Sequence, residues 1–421
     1  MGNEEKLTIL GRYLSPENPI RTTEFLRGRT KELDDLVQEL THFHGIPFIY
    51  GNRGVGKTSL ARTAAQQVTK SDREHIYIAC APGSQMLTIL REVATLLLGM
   101  AVRLSDYREI SKKVEVSISA NPSIKVSVES KTPKLDPFPD INAAVRTLHE
   151  IDALLPDARA TVVIIDELEE LREDDRRDLA YLVKQLGDQE FQTRFVLVGI
   201  AANVHELIGT HESVPRYLHE VSLEPLLPQS LMDIVTDAAE KLDIEVDREV
   251  LYRIAIIGNG YAHFAHLMGK AILIGAVLAG SKTITPELYA DGVSRAVNSS
   301  IQELRVSYDA ATQRRDDMYR HLLWALAHSD VVDLRTDDWI RVYHELAGQQ
   351  SWKQEEGERL QYAIARLSQA RFGSIIMNTP ISYGSRVQRY RYKRFTNNLM
   401  RGHVRLHAER ENVQLGGRIT L

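Results

Sequence analysis

The chain has 421 residues, 43% hydrophobic and 26% charged, with a single cysteine. That length predicts two or three domains, and the mixture excludes disordered, collagen-like and disulfide-scaffold classes. The formal charge is −5, yet residues 371–421 hold ten Lys/Arg against two Asp/Glu, so a basic tail of +8 follows a body of −13.

The opening Met1-Gly2-Asn3-Glu4-Glu5 lacks an apolar h-region, so no signal peptide is expected. Apolar runs such as 162–165 and 271–279 fall short of the roughly 20 residues of a spanning helix. With Cys80 unable to form an internal disulfide, this predicts a cytoplasmic protein with no membrane partner. Residues 1–29 read as a Pro- and Arg-containing leader. Leu33, Leu36, Val37 and Leu40 then recur at helical spacing over 30–43, with Thr30 as N-cap. Residues 46–50 predict a buried strand, followed by a Gly-rich turn and a helix through Thr58-Ser59-Leu60-Ala61. Residues 76–78 predict a strand and 85–101 a helix. Over 113–130, Val114, Val116, Ile118, Ile124, Val126 and Val128 alternate with polar residues, the mark of an inserted hairpin.

Helix 141–155, strand 161–165, helix 169–186, strand 194–199 and a short strand near 219–223 complete a β-α-β alternation. It predicts a mostly parallel sheet with helices on both faces. Past Leu226 the strands stop, and 229–243, 247–257, 261–279 and 285–306 show helical periodicity. Helices near 316–328, 336–347 and 356–370 follow, then two strands, 372–377 and 386–394, around a turn. Three helices and a hairpin outline a winged helix.

Gly51-Asn52-Arg53-Gly54-Val55-Gly56-Lys57-Thr58 fits G-x4-G-K-[ST] without mismatch, between a predicted strand and a predicted helix that continues at Ser59. Glycines let backbone N–H groups curl around phosphates, Lys57 can reach the β- and γ-phosphates, and the Thr58 hydroxyl can ligate Mg²⁺. About a hundred residues on, an apolar strand ends in Asp166-Glu167. Asp166 can hold Mg²⁺ through water and Glu167 can orient the attacking water, as in-line phosphoryl transfer requires. Together these residues imply ATP with Mg²⁺.

In chain order, Leu26-Arg27-Gly28-Arg29-x-x-Glu32-Leu33, the phosphate loop, Ile165-Asp166-Glu167-Leu168 and Val198-Gly199-Ile200-Ala201 resemble AAA+ ATPases of the origin-recognition and STAND-like branches. The resemblance covers residues 20 to about 280, and extends more weakly to a C-terminal winged helix. It implies an α/β P-loop NTPase core of AAA+ type with a parallel sheet, a helical lid and a C-terminal winged helix. The divisions fall at 1–226 (with leader and inserted hairpin), 227–308 and 309–421. It implies base and ribose contacts at Leu26, Arg27, Gly28 and Arg29. Sensor 1, a polar residue after the fourth strand, falls on Asn203, one position later than the initiator pattern, where Ala202 stands; Asn203 also reads as a helix N-cap. The arginine finger falls on Arg216 in Ser213-Val214-Pro215-Arg216, with a surface or salt-bridged arginine as the other reading. No sensor 2 arginine stands in 258–264. His263 occupies roughly its place and either substitutes for it or marks lid sensing as lost.

The hairpin reads equally as a pore or partner element and as an exposed arm packed on a helix. Cys80 reads as core. In the tail, Arg386, Arg389, Arg391, Lys393 and Arg394 interleave with Tyr383, Tyr390, Tyr392 and Phe395, and Arg401, His403 and Arg405 follow. Strand alternation would place Arg389, Arg391 and Lys393 on one face, suited to phosphates, to a protein surface or to solvent. Two function classes result. One is an oligomeric, DNA-associated ATPase (initiator-like, mobile-element or defence) whose winged helix holds double-stranded DNA. The other is a STAND-like switch, a homo-oligomer controlling a separately encoded effector protein.

Overall fold

The runs Val162-Val163-Ile164-Ile165 and Phe195-Val196-Leu197-Val198 contain no polar residue. Such runs suit strands covered on both faces, as in a parallel sheet between helices. In a computed structural model, they form the centre of one. The structure describes residues 2–16, 26–69, 71, 74–104, 126–127, 134–157, 161–189, 191–200, 214–383 and 386–416. Contacts divide the chain into two units, Pro19–Glu224 and Met1–Asn18 with Pro225–Leu421.

The first unit holds β1 (Ile46–Gly51), β2 (Ile76–Ala79), β3 (Val126–Ser127), β4 (Lys134–Leu135), β5 (Val162–Asp166), β6 (Arg194–Gly199) and β7 (Leu218–Leu223). Five of them make a parallel sheet in the order β2-β5-β6-β1-β7. The helices Thr30–His42, Lys57–Val68, Met86–Leu104, Ile141–Asp152 and Arg176–Asp188 accompany it. Leu90, Leu97, Leu148, Ile165 and Leu182 meet in its core, and Cys80 is buried among them. Burial pushes the Cys80 thiol up to about 12, which suits packing and not nucleophilic chemistry. The predicted hairpin 113–130 lies outside the described residues except at β3, which pairs antiparallel with β4.

Periodicity predicts one helix over 169–186, but the structure starts it at Arg176, after two short 3₁₀ turns, Leu168–Glu170 and Glu173–Asp175. The carboxylates of this stretch serve other elements. Asp175 Oδ1 accepts the Met86 N–H (2.8 Å) at the start of helix Met86–Leu104, and Glu169 Oε2 accepts the Ile200 N–H (2.8 Å) just past β6.

In the second unit the leader carries a helix, Asn3–Tyr13, that its composition conceals. It packs on helices Pro228–Lys241 and Ala262–Ala279, and Leu10 and Leu14 are buried there. The periodic stretch 285–306 is two helices, Pro286–Asn298 and Gln302–Thr312. Ser300 is buried at the break and donates its hydroxyl to Val297 O (2.9 Å), a local bond that competes with the helical ladder. Ala262–Ala279 has the length and apolarity to cross a membrane, but 67% of it is buried inside this unit, as for a core helix.

Helices Asp317–His328, Thr336–Gln349 and Gly357–Leu367 precede a hairpin of β9 (Ile376–Tyr383) and β10 (Arg386–Phe395), whose third strand is β8 (Leu334–Arg335), paired with β10. The basic tail departs from expectation here in its last helix, and its hairpin is irregular. The ladder pairs Gln388 with Ile381 and Tyr392 with Thr379, four steps against two, so strict alternation does not run through 389–391. The expected shared face of Arg389, Arg391 and Lys393 involves side chains at 389 and 391 that lie outside the described residues. The helix Met400–Arg410, in turn, buries Arg401 (4% exposed), His403 (0%) and Arg405 (1%), which cannot lie on phosphates.

Candidate nucleotide site

Strand β1 delivers the chain to the C-terminal edge of the sheet, where the loop 51–56 turns into helix Lys57–Val68. Gly51 (φ 141°) runs against β7, and a Cβ there would come 2.4 Å from Leu223 O. Gly56 (φ 98°) is the left-handed N-cap of the helix. The helix's first rung is Leu60 N–H to Gly56 O, so the amides of Lys57, Thr58 and Ser59 lie ahead of the ladder. This is the donor array that binds a phosphate.

Lys57 is 8% exposed and donates from Nζ to Gly51 O (3.0 Å) and Asn52 O (2.9 Å), across the mouth of the loop. Burial lowers its pKa, against the raising effect of Glu169 and Asp166. Asp166 is 2% exposed at the end of β5. Its Oδ2 accepts the Thr58 hydroxyl (2.6 Å) and the Tyr77 phenol (3.1 Å), and its Oδ1 accepts the Glu167 N–H (2.8 Å). Thr58 has one hydroxyl proton. Spending it on Asp166 leaves the oxygen lone pairs for a cation, so the donor set fits Mg²⁺ held by Thr58 and, through water, Asp166. Glu167 is exposed and sits in the left-handed region (φ 58°), an uncommon place for a non-glycine residue and one that recurs at functional sites. Burial, then Asp166, Glu169 and Glu170, raise its pKa, which improves it as a proton acceptor.

In the Gly-Arg segment, where the resemblance implies base and ribose contacts, the Arg29 guanidinium is engaged within the protein. Arg29 is 6% exposed. It donates to Val55 O in the phosphate loop (3.1 Å), to Glu32 Oε1 (3.1 Å) and to Glu224 O at the end of β7. Its guanidinium thus ties the loop to helix Thr30–His42 and to the last residue of the first unit. Leu26 and Arg27 are half-buried, and Gly28 (φ 68°) makes the turn ahead of them.

Arg216 stands on a 3₁₀ turn, Pro215–Tyr217, 63% exposed, with Asp188 Oδ1 at 3.8 Å and its guanidinium 4.5 Å over the Tyr217 ring. The register Ile46↔Leu218 through Gly51↔Leu223 puts this turn at the opposite end of the sheet from the phosphate loop. Five residue steps at about 3.3 Å make about 17 Å of strand between them. Arg216 does not reach this chain's own site. Asn203 lies outside the described residues. His263 belongs to the second unit, where its Nδ1 is 3.3 Å from Pro16 O.

The motifs give no hint of Tyr77 or Glu169, because a tyrosine in an apolar strand and a second acidic residue after Asp166 look ordinary. Among the described residues no group of three His, Cys, Asp or Glu side chains could hold a metal by itself.

Residues 26–198 match the AAA ATPase domain family. The Walker-type ATPase PABY2304 of Pyrococcus abyssi resembles the chain with a TM-score of 0.51 at 16% identity, over 92% of this chain and 99% of that one. That likeness shows the fold, a P-loop NTPase of AAA+ type. The Aeropyrum pernix ORC1 protein, solved in complex with DNA, gives a TM-score of 0.44 at 16% identity, over 95% of this chain and 96% of that one. The Thermotoga maritima RuvB Holliday junction branch migration motor gives 0.42 at 12% identity, over 86% and 92%. No curated protein matches the chain significantly by sequence.

Proposed function

We propose that this chain binds ATP with Mg²⁺ and hydrolyses it as a homo-oligomer, using the nucleotide state as a switch. The observation that carries the reading is the hydrogen bond from Thr58 to Asp166, which aims a phosphate-loop hydroxyl and a buried carboxylate at one cation position. Lys57 then serves the β- and γ-phosphates. Glu167 accepts the proton of the attacking water, and bound Mg²⁺ supplies charge neutralisation at the phosphates. Arg216 works on a neighbouring subunit, since its own site lies at the other edge of the sheet.

Lys57→Ala should weaken ATP binding at least about tenfold, the loss of one charge-assisted contact. Glu167→Gln should keep binding and lower turnover by about a hundredfold or more. Fluorescent-nucleotide titration and phosphate release measure the two. Normal turnover in both variants would refute the assignment.

The three helices and hairpin of 317–395 support a winged helix, and with it the DNA-associated reading. A specific observation favours the second one, an effector protein in place of DNA. Arg401 and Arg405 are buried, Lys393 donates to Asn378 Oδ1, and Arg359, on the helix Gly357–Leu367, is held by Asp316 (2.6 Å) and Glu355. If Arg389, Arg391 and Lys393 still reach phosphates, log K for duplex DNA should fall with log salt at a slope of about −3, and changing all three to Ala should remove it. Absence of DNA binding at low salt would leave the effector reading in place.

A further inference from the structure

Tyr77 lies on β2, outside every sequence motif, yet its phenol donates to the same Asp166 oxygen as Thr58. The strands set this up. The register pairs Tyr77 with Ile164 and Ala79 with Asp166, so the long tyrosine side chain spans the two residue steps from its own position to the carboxylate. Its ring is held from the other side. The Arg62 guanidinium sits 3.6 Å from the ring centroid, and Arg62 follows Thr58 by four residues on the phosphate-loop helix, on the same face. One helix face thus aims Thr58 at Asp166 and Arg62 at Tyr77. Burial, then the charge of Asp166, raises the phenol to about 12, so it is a proton donor throughout the neutral range.

We infer that Tyr77 is a positioning residue for the cation site: it fixes the rotation of the Asp166 carboxylate, with Arg62 bracing its ring. The Glu167 N–H holds Oδ1 from the backbone. On Oδ2, the Thr58 hydroxyl is the one other donor among the described residues, and Thr58 must also offer its lone pairs to the cation. Tyr77 donates to Oδ2 without being asked to ligate anything, so it holds the carboxylate in the same orientation before and after the cation arrives. A free carboxylate would turn about its last side-chain bond and lose part of its pre-organisation.

This inference rests on the Mg²⁺-nucleotide reading, and the experiment separates the two. Titrating a fluorescent ATP analogue against the full chain at a series of Mg²⁺ concentrations, and again in EDTA, gives the half-saturating Mg²⁺ without reference to turnover. Tyr77→Phe keeps the ring and the Arg62 contact and removes only the hydroxyl. It should raise the half-saturating Mg²⁺ about tenfold, as for a hydrogen bond to a charged group, with affinity in EDTA and thermal midpoint unchanged. Arg62→Met should move the same quantity in the same direction by less. A Tyr77→Phe protein with wild-type Mg²⁺ dependence overturns the inference, as does one whose only change is a lower thermal midpoint. Wild-type protein with no Mg²⁺-dependent nucleotide binding overturns the nucleotide reading itself, and this inference with it.

Discussion

Arg216→Ala is expected to lower ATP turnover by about a thousandfold in the assembled protein, the contribution of an arginine supplied from a neighbour, while ATP binding changes little. The expectation follows from topology. Arg216 precedes β7 at the end of the sheet that carries Ile46 and Leu218, and the phosphate loop leaves β1 at the other end, after Gly51. Within one subunit the guanidinium touches Tyr217 and Asp188, the latter 40% exposed, and these contacts are weak enough to be given up. A head-to-tail ring or filament would set this edge of one copy against the nucleotide of the next. Turnover per subunit should therefore rise with protein concentration. Mixing Arg216→Ala with Glu167→Gln subunits should restore activity at about a quarter of the interfaces of a random one-to-one mixture, where an intact Glu167 meets an intact Arg216. Turnover independent of concentration in a proven monomer, or no recovery on mixing, would remove Arg216 from the catalytic machinery.

The candidate nucleotide site was legible in the sequence because its residues are local. Eight consecutive residues make the phosphate loop, and an apolar strand running into Asp166-Glu167 needs only period and polarity to be recognised. The β-α-β alternation likewise predicts the parallel sheet, since buried strands show as unbroken apolar runs. What escaped depends on tertiary partners. The helical pattern over 169–186 ignores that Asp175 is recruited to the start of another helix. Tyr77 reveals its role only when β2 lies beside β5. Arg29 carries the motif of a base contact but spends its guanidinium on Val55 and Glu224. The basic tail misled most, because composition counts charges without knowing which are buried. Ten cations in 51 residues look like an electrostatic footprint, yet two of them sit in the interior of a helix that is buried along nearly its whole length.

That burial leads to the other large effect. Arg405 donates from Nε to Ala327 O (2.8 Å), from Nη1 to Ile256 O (2.7 Å) and Asn259 Oδ1 (3.2 Å), and from Nη2 to Asp330 Oδ1 (2.7 Å). The two carbonyls lie in the last turns of helices Asp317–His328 and Arg248–Gly258, where no helical N–H reaches them. One guanidinium therefore satisfies the ends of two helices from a third, and one turn on Glu409 accepts from the side chains of Arg253 and Tyr289 (2.8 Å). Arg405→Met fills the volume but strands both carbonyls, each costing about 1–3 kcal/mol when left buried and unpaired. Asp330 is 63% exposed and can turn to water, which limits the loss. A total of about 3 kcal/mol should lower the thermal midpoint by about 6–12 °C in a unit of this size. The same helix should make the fold acid-sensitive. Burial holds His403 down to about 3 and His407 to about 2, with Arg305 and Arg410 adding to the effect on His403 and with His403 and Arg410 adding to that on His407. Unfolded histidines bind protons from about pH 6.5 downward and these two do not, so stability should fall steadily from about pH 6.5 toward pH 3. Replacing both by Leu should flatten that slope. The salt dependence of any DNA binding settles the role of Arg405 itself. A phosphate contact would reduce the slope by about one unit when removed, and a buried clamp would leave it unchanged while the midpoint falls. Loss of a salt unit with an unmoved midpoint would return Arg405 to the surface footprint.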